Sequence, residues 1–172
     1  MADFPALPGL YQLLFLHIEP ISTVLTALLI WFSPGAAWFH RELIPGLEDT
    51  APMDARSVMA VWQLGNCYLL LGLISTLVFR AVRDALPNNP AAQERIIGAS
   101  FMALAIADVT HMLWTFIGLP ESLRYDPLRW NSMVHGNITF VIVLLSGRLA
   151  WFAGIGRTKY GHKAQTAKEK AS

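Results

Sequence analysis

The chain has 172 residues, of which 54% are hydrophobic and 15% are charged, and its mean hydropathy is +0.43. This composition is too apolar for an ordinary soluble domain, and a formal net charge of +1 without a basic stripe excludes nucleic acid as a partner. The single cysteine, Cys67, excludes an intramolecular disulfide, a CxxC redox pair and a thiolate zinc cluster. A protein of the lipid bilayer is therefore the expected class.

Four apolar segments, separated by short polar stretches, each reach the roughly 20 residues that a helix needs to cross the hydrocarbon. They predict an all-α bundle of four transmembrane helices over residues 1–155. The first segment follows the breakers Pro5 and Pro8, and Asp54 is a suitable N-cap for the second. The expected spans are 10–32, 56–82, 94–119 and 130–155, and the basic stretch 156–172 is expected to be a disordered tail.

Basic residues predict the orientation of the bundle, because Lys and Arg near the spans favour the cytoplasmic side. The side with the middle connector and the tail carries eight of them, and the opposite side carries four. Both termini are therefore expected in the cytoplasm. Residues Lys168 to Ser172 (KEKAS) resemble the cytosolic dilysine signal KxKxx, which implies the endoplasmic reticulum; an ordinary Lys-rich tail is the alternative.

Two carboxylates, Glu19 and Asp108, lie inside the predicted spans. A charged group at the bilayer centre costs roughly 2.5 to 3.5 kcal/mol on insertion scales, so both are expected to face a polar interior. At about 1.5 Å per residue, Glu19 lies near the midplane, and Asp108 lies with His111 in the lumenal half. The second and fourth spans offer polar residues at similar depths: Gln63, Asn66, His135 and Asn137.

Helical spacing places these polar residues on shared faces. Three pairs lie three or four positions apart: Asp108 with His111, Gln63 with Asn66, and Asn131 with His135. We expect these faces to point at one another around a cavity. Aromatic residues are expected to close it: Trp62, Tyr68, Trp114 and Trp130. A carboxyl group in such a pocket can hold a proton and a histidine can accept one, so the pattern predicts a site for acid–base chemistry.

The same residues also have a structural interpretation. An isolated DxxH such as Asp108 with His111 is typical of a hydrogen-bonded pair between helices, and Glu19 suits the backbone group that Pro20 frees. Amides inside spans usually join helices, at about 0.6 kcal/mol per contact; the amides concerned are Gln63, Asn66 and Asn137. The functional interpretation is favoured because helix contacts rarely need two carboxylates and two imidazoles at one depth.

Two further polar residues receive less weight. Arg148 lies about seven residues from the cytosolic end of its span, so it is expected to snorkel to the interface. His135 with His111 and Asp108 would make a metal site, but this is the least expected use of the three side chains. We predict neither a metal nor a cofactor.

Three stretches of the chain resemble an uncharacterised fungal family of small four-helix membrane proteins. They are Tyr11 to Pro20 (YQLLFLHIEP), Asp108 to His111 (DVTH), and Trp130 to Met133 (WNSM) with Gly136 and Asn137. The chain also resembles the small membrane-bound cyclases and epoxide hydrolases of fungal polyketide and meroterpenoid pathways. A more remote similarity, in architecture only, is to sterol isomerases.

The resemblance implies an enzyme that opens a lipophilic epoxide, by hydrolysis or by intramolecular cyclisation. Asp108 or Glu19 would protonate the epoxide oxygen, and His111 or the other carboxylate would deprotonate the attacking water or hydroxyl. The residues expected to bind and orient the substrate are Gln63, Asn66, Trp114, Trp130, Asn131, His135 and Asn137.

Two rival functions stay open at this point. A terpene cyclase would protonate a prenyl epoxide or alkene in a dry, aromatic pocket. A non-enzymatic sterol or lipid binder, or a membrane scaffold, would use the polar residues only to hold helices together. The lipophilic substrate and the oligomeric state are also open, with a homo-oligomer among the options.

Overall fold

The computed structural model describes residues 4–47 and 51–161, and within them it contains helices and no strands. Four helices are long and apolar enough to span a membrane: α1 (Leu10–Trp31), α3 (Ala55–Ala85), α4 (Pro90–Gly118) and α6 (Ser132–Ala153). Two short helices lie in the connections, α2 (Ala36–Glu42) and α5 (Glu121–Arg124). The prediction of an all-helical chain with four helices long and apolar enough to span a membrane is confirmed, with helix ends that differ by up to four residues from the expected spans.

Helices α1 and α3 form one tightly packed antiparallel pair. Two glycines of α3 permit the close approach, because a Cβ atom at Gly72 would lie 2.6 Å from Val24 Cγ2 and one at Gly65 would lie 2.9 Å from Trp31 Nε1. The indole of Trp31 donates a hydrogen bond of 3.1 Å to the carbonyl of Trp62. These contacts determine which side of α3 faces the protein interior.

The end of the bundle that holds residues 4–9 and 154–161, here the terminal end, has a dense apolar core. The N-terminal segment inserts into it, with Phe4, Ala6 and Leu7 buried. Trp151 Nε1 donates to the carbonyl of Ala6 at 2.7 Å, and the hydroxyl of Tyr11 donates to the carbonyl of Ile155 at 2.6 Å. The core also includes Phe15, Leu16, Phe79, Val82, Ile97, Phe101 and Leu144.

The first residues of the expected tail contact this end of the bundle. Arg157 Nε donates to the carbonyl of Trp151 at 2.7 Å, and Nη2 donates to Glu94 Oε1 at 3.0 Å. The other oxygen of Glu94 accepts hydrogen bonds from the backbone of Tyr160 and Gly161. Residues 162–172, with the expected dilysine signal, lie outside the described residues.

At the opposite end, here the loop end, the segment that connects α1 to α3 contacts the segment that connects α4 to α6. Asn131 caps α6 by accepting a hydrogen bond from Val134 N at 2.9 Å, and its amide donates to both the carbonyl and the Oε2 of Glu42 at 2.8 Å. Trp130 donates to the carbonyl of Leu123 at 2.8 Å. The predicted N-cap Asp54 is confirmed, because it accepts hydrogen bonds from the backbone of Arg56 and Ser57.

Candidate active site

A cavity of about 680 Å³ lies within the bundle, and all four spanning helices contribute to its wall. Pairs α1/α3 and α4/α6 are each closely packed, and the cavity occupies the space between them. The side of the cavity nearest the terminal end, here its inner side, is bounded by two carboxylates, Glu19 and Asp108. The aromatic core that contains Phe15 and Phe101 lies next to them. Much of the remaining wall is apolar, with Leu64, Leu71, Leu104, Phe140, Val141 and Leu144.

The inner side of the cavity carries a charged triad, Glu19–Arg148–Asp108, held by three different helices. Arg148 has no exposed surface, and its Nη2 donates to Glu19 Oε1 while its Nη1 donates to Asp108 Oδ2. The guanidinium carbon also lies 5.1 Å from the ring centre of Phe15 and 5.8 Å from that of Phe101. The aromatic faces add cation–π attraction where solvent cannot reach the charge.

The expectation that Arg148 snorkels to the interface is wrong. Its side chain turns inward because two carboxylates and two aromatic rings are available within the bundle, and pairing inside replaces hydration outside. A signal for this was present in the sequence. A chain with two carboxylates inside its spans and one arginine at comparable depth has an internal partner for each charge, and charges inside membranes pair with one another.

With both carboxylates ionised, the triad is not electrically balanced. Two ionised carboxylates and one guanidinium carry a net charge of −1, and the pairing leaves polar atoms unused. Glu19 Oε2 and Arg148 Nε are both buried without a hydrogen-bond partner among the described residues. Glu19 is only 6% exposed and lies at the cavity wall. An unpaired buried carboxylate oxygen is costly, so this atom is suited to accept a hydrogen bond from a bound molecule.

His111 lies one helical turn from Asp108 on α4 and also lines the cavity. The two side chains are close enough to interact electrostatically. The hydrogen bond of Asp108 goes to Arg148, and the imidazole of His111 has no hydrogen-bond partner in the part of the chain that the structure describes. The histidine therefore faces the cavity with both ring nitrogens available.

Five of the ten predicted site residues line the cavity: Glu19, Asp108, His111, Trp114 and Asn137. The other five are placed elsewhere. Gln63 and Asn66 are exposed on the outer surface of α3, because Gly65 and Gly72 turn the opposite side of this helix toward α1. Of the aromatic residues expected to close the cavity, Tyr68 and Trp114 line it, whereas Trp62 is exposed outside it.

The remaining three predicted residues lie at or near the loop end. Asn131 and Trp130 make the structural hydrogen bonds described above. His135 is exposed, its Nδ1 lies 2.9 Å from the hydroxyl of Thr139, and its ring packs edge-on against Trp130 with the ring centres 5.4 Å apart. Within residues 4–47 and 51–161, no three His, Cys, Asp or Glu side chains form a group suited to a metal ion.

The sequence interpretation missed a set of hydroxyl side chains in the cavity wall. Five of them are Ser22, Thr23 and Thr26 of α1 and Thr110 and Thr115 of α4. Each donates its hydrogen bond to a backbone carbonyl three or four residues earlier in its helix. The triplet of hydroxyls just after Glu19 was a usable signal, because it shares the helix face of that carboxylate.

Comparison with known proteins identifies the family of the chain. It belongs to the family described as a domain of unknown function, DUF7704, whose model matches residues 4–158. No curated protein and no solved structure matches the chain.

Proposed function

We propose that this DUF7704 member is a membrane-embedded enzyme that opens a lipophilic epoxide by acid–base catalysis. The observation that carries the proposal is the Glu19–Arg148–Asp108 triad beside His111 at the inner side of an otherwise largely apolar cavity. The resemblance to fungal cyclases and epoxide hydrolases suggests a polyketide or meroterpenoid epoxide as the substrate. The excess of basic residues at the terminal end favours cytoplasmic termini, and the KEKAS sequence favours the endoplasmic reticulum.

Charge balance supports an acid–base role. One additional proton on Glu19, Asp108 or His111 would make this group of four side chains neutral, and neutral groups are favoured where water is excluded. A site that alternates between a net charge of −1 and zero can give one proton and take one back. This is the requirement of a reaction that protonates a leaving oxygen and deprotonates a nucleophile.

The proposed step is redox-neutral. The proton held by the triad or by His111 passes to the epoxide oxygen as one carbon–oxygen bond of the ring breaks. The oxygen of water, or of a hydroxyl group in the substrate, forms a new bond to that carbon and loses its proton to the available carboxylate or imidazole. Water gives a diol, and an internal hydroxyl gives a cyclic ether that is an isomer of the substrate.

Arg148 acts as a positioning residue in this scheme. Its two donated hydrogen bonds hold the carboxylates of Glu19 and Asp108 at fixed places on separate helices. The aromatic side chain of Trp114 and the amide of Asn137 line the same cavity and would contact the substrate. Trp114 offers a ring face to positive charge that develops on the opening carbon.

The test is turnover of a panel of lipophilic epoxides by the purified protein in oxygen-18 water. Hydrolysis places the label in the product, cyclisation gives an unlabelled isomer, and a lipid binder or scaffold leaves the epoxide intact. Asp108→Asn and Glu19→Gln should each lower kcat by about 100-fold to 10,000-fold, because a proton donor or acceptor is lost. Both changes keep the size of the side chain.

Matched controls separate chemistry from folding. Glu121→Gln and Asp84→Asn make the same substitutions at exposed carboxylates far from the cavity and should leave kcat unchanged. His111→Asn should lower kcat, whereas His17→Asn should not, because His17 does not line the cavity. Full turnover by folded Asp108→Asn and Glu19→Gln proteins would refute the proposal, as would the absence of product from every epoxide.

A further inference from the structure

We propose that the cavity receives an uncharged lipophile that carries a hydroxyl group, and that this hydroxyl donates its hydrogen bond to Glu19 Oε2. The molecule would reach the cavity from the bilayer through the gap between α3 and α4. The inference rests on the proposed function and deepens it, because it names the class of molecule that the same site accepts.

The first argument is the charge at the inner side of the cavity. Two N–H groups of Arg148 are used by Glu19 and Asp108, and no lysine or arginine is among the residues that line the cavity in the described chain. A ligand carboxylate or phosphate would therefore meet two carboxyl groups that already share the one cation, with no further cation to balance it. Placing like charges together costs enough to exclude such a partner.

The second argument is that Glu19 Oε2 needs a donor. The atom is buried without a partner, and the residue lies in the cavity wall, so a rotation of the Glu19 carboxyl group would bring this oxygen to a ligand in the cavity. A ligand hydroxyl brings an O–H donor to this atom, and hydrogen bonds to an ionised acceptor are stronger than those between neutral groups. An ether or a hydrocarbon of the same shape would leave the carboxylate oxygen unsatisfied.

The third argument is the direction of the hydroxyl side chains in the wall. A hydroxyl has a single proton, and Ser22, Thr26 and Thr115 each donate it to a backbone carbonyl of their own helix. Thr23 and Thr110 do the same. Only lone pairs remain on these oxygens, so the wall of α1 beside Glu19 offers hydrogen-bond acceptors and favours a ligand that supplies donors.

The fourth argument concerns access. The cavity residues of α3 and α4 that face each other are exposed at the surface of the bundle; they are Leu64, Cys67, Leu71, Ala107, Thr110 and Trp114. Helix α3 is packed against α1 and α4 against α6, and the main contact of α4 with α3 is near the connector, at Phe79–Ala85. The gap lies along apolar helices that span the membrane, so a molecule dissolved in lipid can enter without crossing water.

Cys67 is a natural reporter of occupancy, because it lines the cavity and is the single cysteine of the chain. The experiment measures the rate at which a maleimide modifies Cys67 in detergent-solubilised protein. Three ligands of equal chain length are compared: a long-chain alkanol, its methyl ether, and the matching alkanoate at a pH where it is ionised. The alkanol should slow modification at a concentration at least about tenfold lower than either of the others.

A control variant shows whether a ligand slows modification only by changing the detergent micelle. Cys67→Ser combined with Leu70→Cys moves the thiol to an exposed position of α3 outside the cavity, where no ligand should protect it. Glu19→Gln removes one negative charge, so the disadvantage of the alkanoate should shrink by about tenfold. The comparison in the unmodified protein stands even if Glu19→Gln fails to fold.

The inference is overturned if the alkanoate or the methyl ether protects Cys67 as well as the alkanol does, or if the moved thiol is protected equally. This result is separable from the proposed function. Selective protection by the alkanol without turnover of any epoxide would refute the enzyme and keep the ligand class. Epoxide opening with equal protection by all three ligands would keep the enzyme and refute the ligand class.

Discussion

The side chains of Arg148 and Arg157 are both almost completely buried, but their surroundings differ. Arg157 at the terminal end pairs with one carboxylate, Glu94, whose second oxygen accepts backbone hydrogen bonds from Tyr160 and Gly161. Its guanidinium also lies 3.8 Å from the ring centre of Trp151. Arg148 pairs with two carboxylates at the cavity and leaves Glu19 Oε2 without a partner.

Charge balance and hydrogen-bond satisfaction distinguish a stabilising ion pair from a candidate site. The Arg157–Glu94 pair is balanced in charge, both carboxylate oxygens are hydrogen-bonded, and the pair holds residues 156–161 against the bundle. The Glu19–Arg148–Asp108 triad has two carboxyl groups for one guanidinium, and one oxygen of Glu19, a residue of the cavity wall, has no partner. Buried polar atoms without a partner also occur at Arg80, Gln93 and Arg124, which do not line the cavity. The triad is a candidate site because its unsatisfied carboxylate belongs to a residue of the cavity wall.

The largest expected effect comes from Arg148→Met. Removal of the cation leaves two buried carboxylates unpaired, and breaking a buried ion pair from one side typically costs about 3–5 kcal/mol. We expect the free energy of unfolding in detergent to fall by about that amount. The measurement is chemical denaturation of the purified variant followed by circular dichroism.

A triple variant checks the cause of that loss. Glu19→Gln and Asp108→Asn, added to Arg148→Met, remove both negative charges with little change in size, so much of the lost stability should return. A triple variant as unstable as Arg148→Met alone would show that the arginine acts through packing against Phe15 and Phe101, and the charge interpretation of the triad would be wrong.

A smaller effect is expected from Arg157→Met, the matched change at the terminal end. Glu94 keeps its backbone hydrogen bonds and is partly exposed, so we expect a loss of about 1.5–3 kcal/mol, the range for hydrogen bonds to charged groups. Epoxide turnover should not change, since Arg157 does not reach the cavity. A loss of kcat without a loss of folded protein would contradict the separation of the two arginine sites.

The smallest effect is expected outside both sites, from Asp54→Ala at the start of α3. Hydrogen bonds from the hydroxyl and backbone of Ser57, and from the backbone of Arg56, hold the pKa of Asp54 below its ordinary value of 3.8. Because the folded pKa is lowered, the stabilisation is present above pH 3.8 and is lost as the pH falls through the folded value. The difference in Tm between the natural protein and the variant should therefore disappear in acid; an equal difference at neutral and acid pH would contradict this.

The four spans could be predicted from the sequence because crossing a bilayer requires a length and a composition that the chain shows directly. Glu19, Asp108 and His111 could be singled out for a related reason. The cost of a polar group in lipid is high enough to require an interior position wherever the helix packs. The N-cap Asp54 was also predictable, since capping depends only on neighbours along the chain.

The other half of the predicted site could not be deduced in this way. Gln63 and Asn66 share a helix face, as their spacing indicates, but the close approach of α1 at Gly65 and Gly72 turns that face outward. Each spanning helix is apolar around most of its circumference, so periodicity does not specify its rotation. Rotation is decided by steric fit between helices that are distant in sequence.

Arg148 marks the boundary between what the sequence determines and what the tertiary structure decides. The sequence by itself determined that this protein has four helices long and apolar enough to span a membrane and that two carboxylates must face inward, because both follow from local transfer free energies. Only the tertiary structure decided that Arg148 joins Glu19, 129 residues away, and Asp108, 40 residues away, in one triad. The partners of a buried charge depend on how separate helices pack, and that packing is a property of the whole bundle.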